Sequence, residues 1–396
     1  MKDPAMSNVS TPSVIPPWID LSTRTTAFEQ DGVKFASDFS CGNGHSFQRL
    51  GRMHYAFCSR IGTQPYSYRF YFRIDGGISP ELRLRVLDFK MADPVNPANP
   101  GREHAAMISY DDENWSAIPP DQIRILPGAA EEDADYCRNG CAYAVEYHLH
   151  VERYPIWVAS PLPYRLKDMN SFLDYVSAGK NANVSLLGTS LCGLDIPRID
   201  LSAPDNAHSF KLFVIGGQHP SETAGIMAVE GMVRELLENN NIRPAITLCA
   251  LPVLNMDGWH MGRSNDDCSG APGRNLNRDW KDFKSLETGT AFQLIRCFSP
   301  DLLIDCHNGR GWDRHRFQDA YGDDSFLESL RAKFEKAGEE CVILNRKSAG
   351  TLSCESVRQN CARAAFVFEN VLTKCPSRER YLRAGRSLMR AMAELI

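Results

Sequence analysis

The sequence predicts two folded domains, an antiparallel β-sandwich followed by an α/β domain in which helices flank a mixed, mostly parallel sheet. Length is one reason, because 396 residues are more than one core requires when ordinary domains hold about 100–200 residues. The other reason is a change of hydrophobic pattern near residue 155, where alternation gives way to continuous apolar runs between helical stretches. We therefore expect domains at 21–155 and 156–396, after a disordered leader at 1–20.

The first domain is predicted from strands that alternate apolar and polar residues. The runs 68–75, 82–86 and 145–152 all show this period of two, which is typical of strands with one buried face. Clusters rich in glycine, asparagine and proline separate the runs, for example at 42–44 and 93–101. Short alternating strands between turns favour an antiparallel sandwich.

The second domain is predicted to begin after a proline-containing connection at 153–164, because proline restricts the chain and lacks the donor that a central strand needs. Beyond it, apolar runs alternate with helical stretches. The predicted strands are 210–215, 246–253, 302–304 and 364–368, and the predicted helices are 222–238, 286–297, 325–337 and 378–395. This alternation is typical of a largely parallel or mixed sheet covered by helices.

Composition excludes several classes of partner. The net charge is −5 and the pI is near 6.1, so no overall positive field favours nucleic acid or an anionic membrane. No apolar run is long enough to span a bilayer, and the first residues lack a secretory pattern. The 13 cysteines are scattered without a repeating spacing, which fits reduced thiols in the cytoplasm. Cys137 and Cys141 could form half of a zinc site, but no second pair or nearby histidine completes it.

A metal site is indicated by two motifs at strand ends. His219 and Glu222 stand in the run Gly-Gly-Gln-His-Pro-Ser-Glu, between an apolar strand and a predicted helix. His307 ends another apolar strand, just before a glycine-bearing loop. The carboxyl ends of parallel strands are where α/β sheets present functional groups. Two histidines and one glutamate leave a tetrahedral zinc ion one open position, which is the catalytic arrangement.

Further polar motifs stand between and after these residues. They are Asn255-Met256-Asp257-Gly258, then Arg263, and then the run 273–280, Gly-Arg-Asn-Leu-Asn-Arg-Asp-Trp. The last is Glu369, which ends an apolar strand, where a buried carboxylate is costly unless it is paired or used.

With these motifs in this order, the sequence resembles the zinc carboxypeptidase family that includes carboxypeptidase A, and in particular its cytosolic branch with an amino-terminal β-sandwich. The order is kept across roughly 160–396. The resemblance implies one Zn²⁺ per chain, held by His219, Glu222 and His307. It also implies that Glu369 is the general base, that Arg263 polarises the scissile carbonyl, and that a substrate's terminal carboxylate is bound by Asn277 and Arg278.

Two departures from the family pattern bear on this interpretation. Asn275 stands where the family has an aspartate that orients the first zinc histidine, and an amide adds no negative charge there. The loop 344–351 contains no tyrosine, although the family has a mobile tyrosine upstream of its catalytic glutamate. Specificity stays open: Arg346, Lys347, Arg358 and Arg363 suggest an acidic terminal residue, whereas Leu352 and Cys354 stand near the expected pocket floor.

The resulting expectation is a zinc-dependent metallocarboxypeptidase that hydrolyses the C-terminal amide bond of a peptide or protein, with an acidic residue such as glutamate as the candidate released residue. Two alternatives stay open. One is a zinc amidohydrolase acting on a small carboxylate-bearing amide, and the other is a catalytically weakened binding module. Neither nucleic acid nor membrane is expected as a partner, and the expected location is the cytoplasm.

Overall fold

The computed structural model describes residues 27–30, 32–59, 68–77, 79–90, 106–126, 142–203, 209–263, 275–309, 314–344, 351–352, 362, 364–371 and 376–396. The first eleven strands are β1 (Ala27–Gln30), β2 (Val33–Ala36), β3 (His45–Gly51), β4 (His54–Cys58), β5 (Phe70–Asp75), β6 (Glu81–Lys90), β7 (Met107–Ser109), β8 (Trp115–Ala117), β9 (Ile123–Leu126), β10 (Ala142–His150) and β11 (Ile156–Ser160). They form two sheets, ordered β1-β2-β5-β11-β7-β8 and β3-β4-β6-β10-β9.

These two sheets pack face to face as the predicted sandwich. Their inward residues form one apolar cluster that draws on both sheets, with Phe35 and Phe72 from one and Tyr55 and Val86 from the other. The ring centroids of Phe35 and Tyr55 lie 5.0 Å apart across the core. Neighbouring strands are antiparallel with the exception of β4 and β6, which run parallel.

The sandwich extends further along the chain than predicted. The segment 153–164 contains β11, which pairs with β5 on one side and β7 on the other. A boundary at 155/156 would cut this strand from its sheet. We therefore propose that the domains divide after Ser160, because the residues before it share the ladder and the core of the sandwich.

The remaining strands form one mixed sheet. They are β12 (Ala182–Thr189), β13 (Asp195–Leu201), β14 (Phe210–Gly216), β15 (Ile246–Leu251), β16 (Leu302–Gly309), β17 (His315–Tyr321), β18 (Cys341–Leu344) and β19 (Ala364–Val371). Their order is β12-β13-β15-β14-β16-β19-β17-β18. The four central strands β15, β14, β16 and β19 are parallel, so the ends of β14, β16 and β19 meet at one edge.

Helices cover both faces of this sheet, as predicted. They are α1 (Leu166–Ser177), α2 (Thr223–Glu238), α3 (Met256–His260), α4 (Leu286–Phe298), α5 (Asp324–Lys336) and α6 (Arg378–Ala393), with short 3₁₀ turns at Pro120–Gln122, Arg243–Ala245 and Leu276–Arg278. Leu212 and Val214 of β14 face a core shared with α1, α2, α5 and α6, whereas Phe213 and Ile215 face α4. Within the described ranges, no helix is both long and apolar enough to cross a membrane.

The helices α2 and α6 pack so closely that one contact depends on the absence of a side chain. A Cβ atom added at Gly385 of α6 would lie 2.0 Å from the carbonyl oxygen of Ala228 in α2. That oxygen belongs to a helix main chain and cannot swing aside. Gly385 thus sets the distance between the helix that begins beside Glu222 and the helix behind it.

We expect Gly385→Ala to destabilise the protein by about 1–3 kcal/mol, because α6 must move away from α2 to relieve the overlap. Gly289→Ala is the matched control, since the nearest atom to its added Cβ is 4.0 Å away. That helical glycine should tolerate alanine with a gain of about 0.5–1 kcal/mol. Urea unfolding of both variants measures the difference, and equal midpoints would contradict the packing argument.

Candidate metal centre

The first two candidate ligands lie on the loop that joins β14 to α2. The strand ends at Gly216 and the helix begins at Thr223, with Glu222 at its N-cap. His219 Nδ1 lies 2.9 Å from Glu222 Oε1. Pro220, between them, fixes the main-chain angle of the loop.

The third candidate ligand comes from the neighbouring strand. His307 lies near the end of β16, which pairs in parallel with β14. Its Nδ1 is 2.7 Å from Glu222 Oε2, so the one carboxylate contacts both imidazoles. The ligand atoms of His219, Glu222 and His307 all lie within 4.8 Å of one another. The structure thus brings together the three residues that the sequence singled out.

The chemistry of this donor set fits a divalent metal. Two imidazole nitrogens and a carboxylate oxygen form the catalytic zinc arrangement of three protein ligands and one open position. Both imidazoles turn Nδ1 toward Glu222 and use Nε2 for a second partner, which fixes their orientation as metal-binding histidines require. The assignment of His219, Glu222 and His307 as zinc ligands stays a prediction.

The second partners of the two histidines differ in charge. His219 Nε2 lies 3.2 Å from the Oδ1 atom of Asn275, which also accepts a hydrogen bond from the Asn277 main chain. His307 Nε2 lies 3.0 Å from Asp305 Oδ1. Asp305 is completely buried. The second partner of His307 is therefore a carboxylate, whereas the second partner of His219 is a neutral amide.

Asp305 is itself held by a buried hydrogen-bond chain. Gln218 Nε2 lies 2.7 and 2.8 Å from its two carboxylate oxygens, and Trp280 Nε1 donates to Gln218 Oε1 over 2.7 Å. Sequence reasoning missed all three residues. A signal for Asp305 was present, because residues two apart on a strand share a face, and a buried charge at that spacing from a histidine needs a partner.

The charges of the cluster stabilise one another. Burial raises the pKa of Glu222, but His219 and His307 outweigh it, and the net shift is downward. Burial lowers the pKa of His307, but Asp305 and Glu222 outweigh it, and the net shift is upward. A metal at Nδ1 would take the place of the proton there.

Glu369 lies on the strand next to His307. In the parallel pair β16–β19 its register partner is His307, so the two side chains stand at the same level of the sheet. Burial raises the pKa of Glu369 to about 7, with Glu222 adding to the rise and His307 opposing it. Among the described residues, no hydrogen bond or ion pair involves its carboxylate. A divalent cation nearby would lower this pKa by favouring the charged form.

The end of β19 is fixed by a buried histidine. His315 Nδ1 accepts a hydrogen bond of 3.3 Å from the Val371 main chain, and its Nε2 lies 3.2 Å from Glu339 Oε2. His315 and Glu339 are both buried. The main chain that carries Glu369 is therefore restrained two residues beyond it.

Asn277 and Arg278 lie beside the metal cluster on the 3₁₀ turn Leu276–Arg278. Asn277 is buried, with Nδ2 3.4 Å from His307 Nε2. Arg278 is exposed, and its Nη1 donates to the Asn277 carbonyl over 2.7 Å. One residue of the pair thus faces the cluster and the other faces solvent. Their role in carboxylate binding stays a prediction.

Arg263 is held by its main chain. Its N–H donates to the Gly258 carbonyl over 2.9 Å, at the end of a turn that Asn255 caps through its side chain. The Asn-x-Asp-Gly motif thereby builds the short helix α3 and sets the start of the 261–263 segment. The charge of Arg263 opposes the rise in pKa that burial causes in the Cys192 thiol. Its proposed action on a substrate carbonyl stays a prediction.

Several residues considered in the sequence lie outside the described ranges. They are the leader 1–20 and the residues Cys137, Cys141, Arg346, Lys347, Cys354, Arg358 and Arg363. Leu352 is described and is completely buried.

Comparisons with known proteins agree with the motifs. A family model described as zinc carboxypeptidase matches residues 169–295. A metallo-carboxypeptidase from Burkholderia cenocepacia has a TM-score of 0.74 at 19% identity, covering 91% of this chain and 98% of that chain. One from Pseudomonas aeruginosa, in complex with (2-guanidinoethylmercapto)succinic acid, has a TM-score of 0.71 at 20% identity, again covering 91% and 98%. At these identities, the structural likeness establishes the fold.

The family model and the fold both match metallo-carboxypeptidases, a class of hydrolases that act on C-terminal peptide bonds. The family model matches 127 of the 396 residues, and the resemblance to the zinc carboxypeptidase family seen in the sequence is confirmed. Its cytosolic branch stays a prediction. An uncharacterised protein of Zymomonas mobilis is 22% identical over 253 residues, or 61% of this chain, and the match spans 58% of that relative's length.

We expect Asp305→Asn to weaken Zn²⁺ binding by about 10–100-fold, because the imidazole of His307 loses the carboxylate that orients it and raises its basicity. Asn275→Asp should act in the opposite direction by adding that charge behind His219. Competition with a chromogenic chelator measures both affinities.

Asp168→Asn is the control for this comparison. Asp168 is also a largely buried carboxylate, but it pairs with Arg165 and lies on α1, away from both histidines. The zinc affinity of the Asp168→Asn protein should match that of the wild type. Unchanged affinity in folded Asp305→Asn protein would show that Asp305 has no part in metal binding.

Proposed function

We propose that the protein is a zinc-dependent metallocarboxypeptidase that hydrolyses the C-terminal amide bond of a peptide or protein. The observation that carries the proposal is the convergence of His219, Glu222 and His307, with Glu369 at the same level on the neighbouring strand. The match of residues 169–295 to the zinc carboxypeptidase family model supports the same reaction.

The three ligands and Glu369 divide the chemistry between them. A zinc ion held by His219, Glu222 and His307 would supply Lewis-acid chemistry and lower the pKa of water in the site. Glu369 is suited to hold and move a proton because its pKa is raised towards neutrality and it has no hydrogen-bond partner in the described part of the chain. It would take a proton from the attacking water and deliver it to the leaving amine.

Substrate orientation is assigned to the turn beside the cluster. The exposed guanidinium of Arg278 offers a planar pair of donors, the geometry that matches a terminal carboxylate. Asn277 would contribute an amide donor from the buried side. Arg263 would polarise the scissile carbonyl. Capture of a carboxylate is consistent with the succinic acid derivative bound to the Pseudomonas aeruginosa relative.

Two finer features belong to the same proposal. We propose an acidic residue such as glutamate as the released residue, on the basis of the arginines and lysine in the segment 346–363. A cytoplasmic location is supported by the cysteines, since no disulfide joins any two of those in the described ranges.

We expect Glu369→Gln to lower the rate of peptide hydrolysis by about 10²–10⁴-fold, because the amide cannot carry the proton. Its zinc affinity should stay near the wild-type value, since Glu369 is not one of the three ligands. Mass spectrometry of free-acid peptides with acidic, aliphatic, aromatic and basic termini, incubated with zinc-loaded or chelated protein, measures the loss of single residues.

The same peptides with amidated C-termini are the substrate control. A carboxypeptidase should shorten only the free acids. If only small amides are hydrolysed, the amidohydrolase alternative holds, and if zinc binds but nothing is hydrolysed, the binding-module alternative holds.

Arg278→Gln is expected to lower kcat/KM for the free-acid peptides by about 10–150-fold, mainly through KM, because a hydrogen bond to a charged group contributes about 1.5–3 kcal/mol. Arg331→Gln removes a partly exposed arginine of α5 that pairs with Glu328 and Glu335, and it should leave the kinetics unchanged. Equal kinetics of the two variants would contradict the assignment of Arg278.

A further inference from the structure

The sandwich domain reaches the candidate metal centre through one buried arginine. Arg69 stands just before β5 and is only 3% exposed. Its Nη1 donates to the carbonyl of Pro220 over 2.8 Å and to the carbonyl of Arg263 over 2.9 Å, and its Nη2 donates to the carbonyl of Trp259 over 3.3 Å. A side chain of the first domain therefore binds main-chain atoms of two active-site segments.

The first of these segments is the 219–222 loop, which carries two of the three candidate ligands. Pro220 lies between His219 and Glu222, so a shift of its carbonyl would move both side chains. Ser221, the next residue, is held as well, because its Oγ lies 2.9 Å from the hydroxyl of Tyr68. Consecutive residues of the sandwich thus contact consecutive residues of the 219–222 loop.

The second segment is the 259–263 turn, which ends in Arg263. The sandwich also contacts this turn through Asn43, whose Nδ2 lies 2.9 Å from the Gly262 carbonyl and 2.7 Å from the Arg69 carbonyl. The main chain of Cys41 donates to the His260 carbonyl over 2.7 Å. The main chain of Arg69 is therefore restrained by the same Asn43 side chain that contacts the 259–263 turn.

The chemistry of Arg69 indicates positioning rather than simple adhesion between domains. In the described ranges its hydrogen-bond partners are three main-chain carbonyls and the Cys41 thiol, and no carboxylate pairs with it. Burying a cation without a carboxylate costs free energy that apolar contacts would not. A planar guanidinium, in contrast, fixes the angle and the distance between the groups that accept its hydrogen bonds.

We propose that Arg69, with Tyr68, is a positioning residue that sets the geometry of the 219–222 loop against the 259–263 turn and thereby tunes metal binding. The inference rests on the proposed function, because it takes His219 and Glu222 as metal ligands. It gives the sandwich domain a direct part in building the catalytic centre.

A second arginine at the domain boundary provides a matched control. Arg165, at the start of α1, binds Asp112 and Glu113 of the sandwich over 3.0 Å each, and Asp168 of its own helix over 2.7 Å. It is 8% exposed. None of its hydrogen-bond or ion-pair partners lies in the 219–222 loop or the 259–263 turn. Loss of this guanidinium should therefore loosen the domain boundary without removing a hydrogen bond from either segment.

The test uses full-length Arg69→Lys, Tyr68→Phe and Arg165→Lys proteins. Zinc affinity is measured by chelator competition, and the visible d–d absorption of the Co²⁺-loaded proteins reports the geometry of the metal site. Urea unfolding measures stability separately. We expect Arg69→Lys to bind zinc about 10-fold more weakly, with a shifted cobalt spectrum, because an ammonium cannot hold all of the carbonyls at the original angles.

Tyr68→Phe should show a smaller change in the same direction, and Arg165→Lys should match the wild type in affinity and spectrum. Wild-type affinity and spectrum in folded Arg69→Lys would overturn the inference, and so would equal losses in Arg69→Lys and Arg165→Lys. If Arg69→Lys does not fold, Tyr68→Phe decides, and its identity with wild type overturns the inference. Failure of the wild type to bind zinc would instead refute the proposed function.

Discussion

The candidate centre depends on one carboxylate, only 13% exposed, that is shared by two imidazoles. Glu222 contacts His219 within its own loop and His307 on the adjacent strand, and these contacts are possible only because β14 and β16 run parallel and end at the same edge. The parallel neighbour β19 brings Glu369 to the level of His307. The order of the central strands therefore decides which side chains meet, and helix α2 beginning beside Glu222 fixes the direction of its carboxylate.

That edge of the sheet is not built by the α/β domain alone. The 219–222 loop and the 259–263 turn lie mostly outside regular structure, and their buried main-chain carbonyls need hydrogen-bond donors. Arg69 and Asn43 of the sandwich donate to the carbonyls of Pro220 and Gly262, and the Tyr68 hydroxyl contacts the Ser221 hydroxyl. Contacts from a second domain can hold a loop at a defined geometry even when the loop is long. A rigid scaffold supports functional loops in this way.

Hydrophobic pattern was sufficient for much of the fold but not for its irregular parts. The central strands are continuous apolar runs and were predicted, as were α2, α4, α5 and α6. The strand β11 was taken for a connection because Pro155 and Pro161 flank it, yet both prolines stand outside its ladder. Whether a segment between two prolines is a strand depends on the strands that pair with it, and a single sequence does not specify those partners. The contacts of Arg69 likewise join residues about 150 positions apart or more, beyond the reach of any local motif.

The charge around the two histidines shows how a departure from a family pattern can be compensated in three dimensions. Asn275 contributes an oxygen but no charge behind His219, which on sequence grounds suggests a weaker metal site. Asp305 supplies a full carboxylate behind His307, buried and held in place by Gln218. Because a metal bound at both Nδ1 atoms would be influenced through either imidazole, the total negative charge behind the ligand pair matters more than which histidine receives it. The substitution at 275 is therefore no argument that the centre has lost its metal.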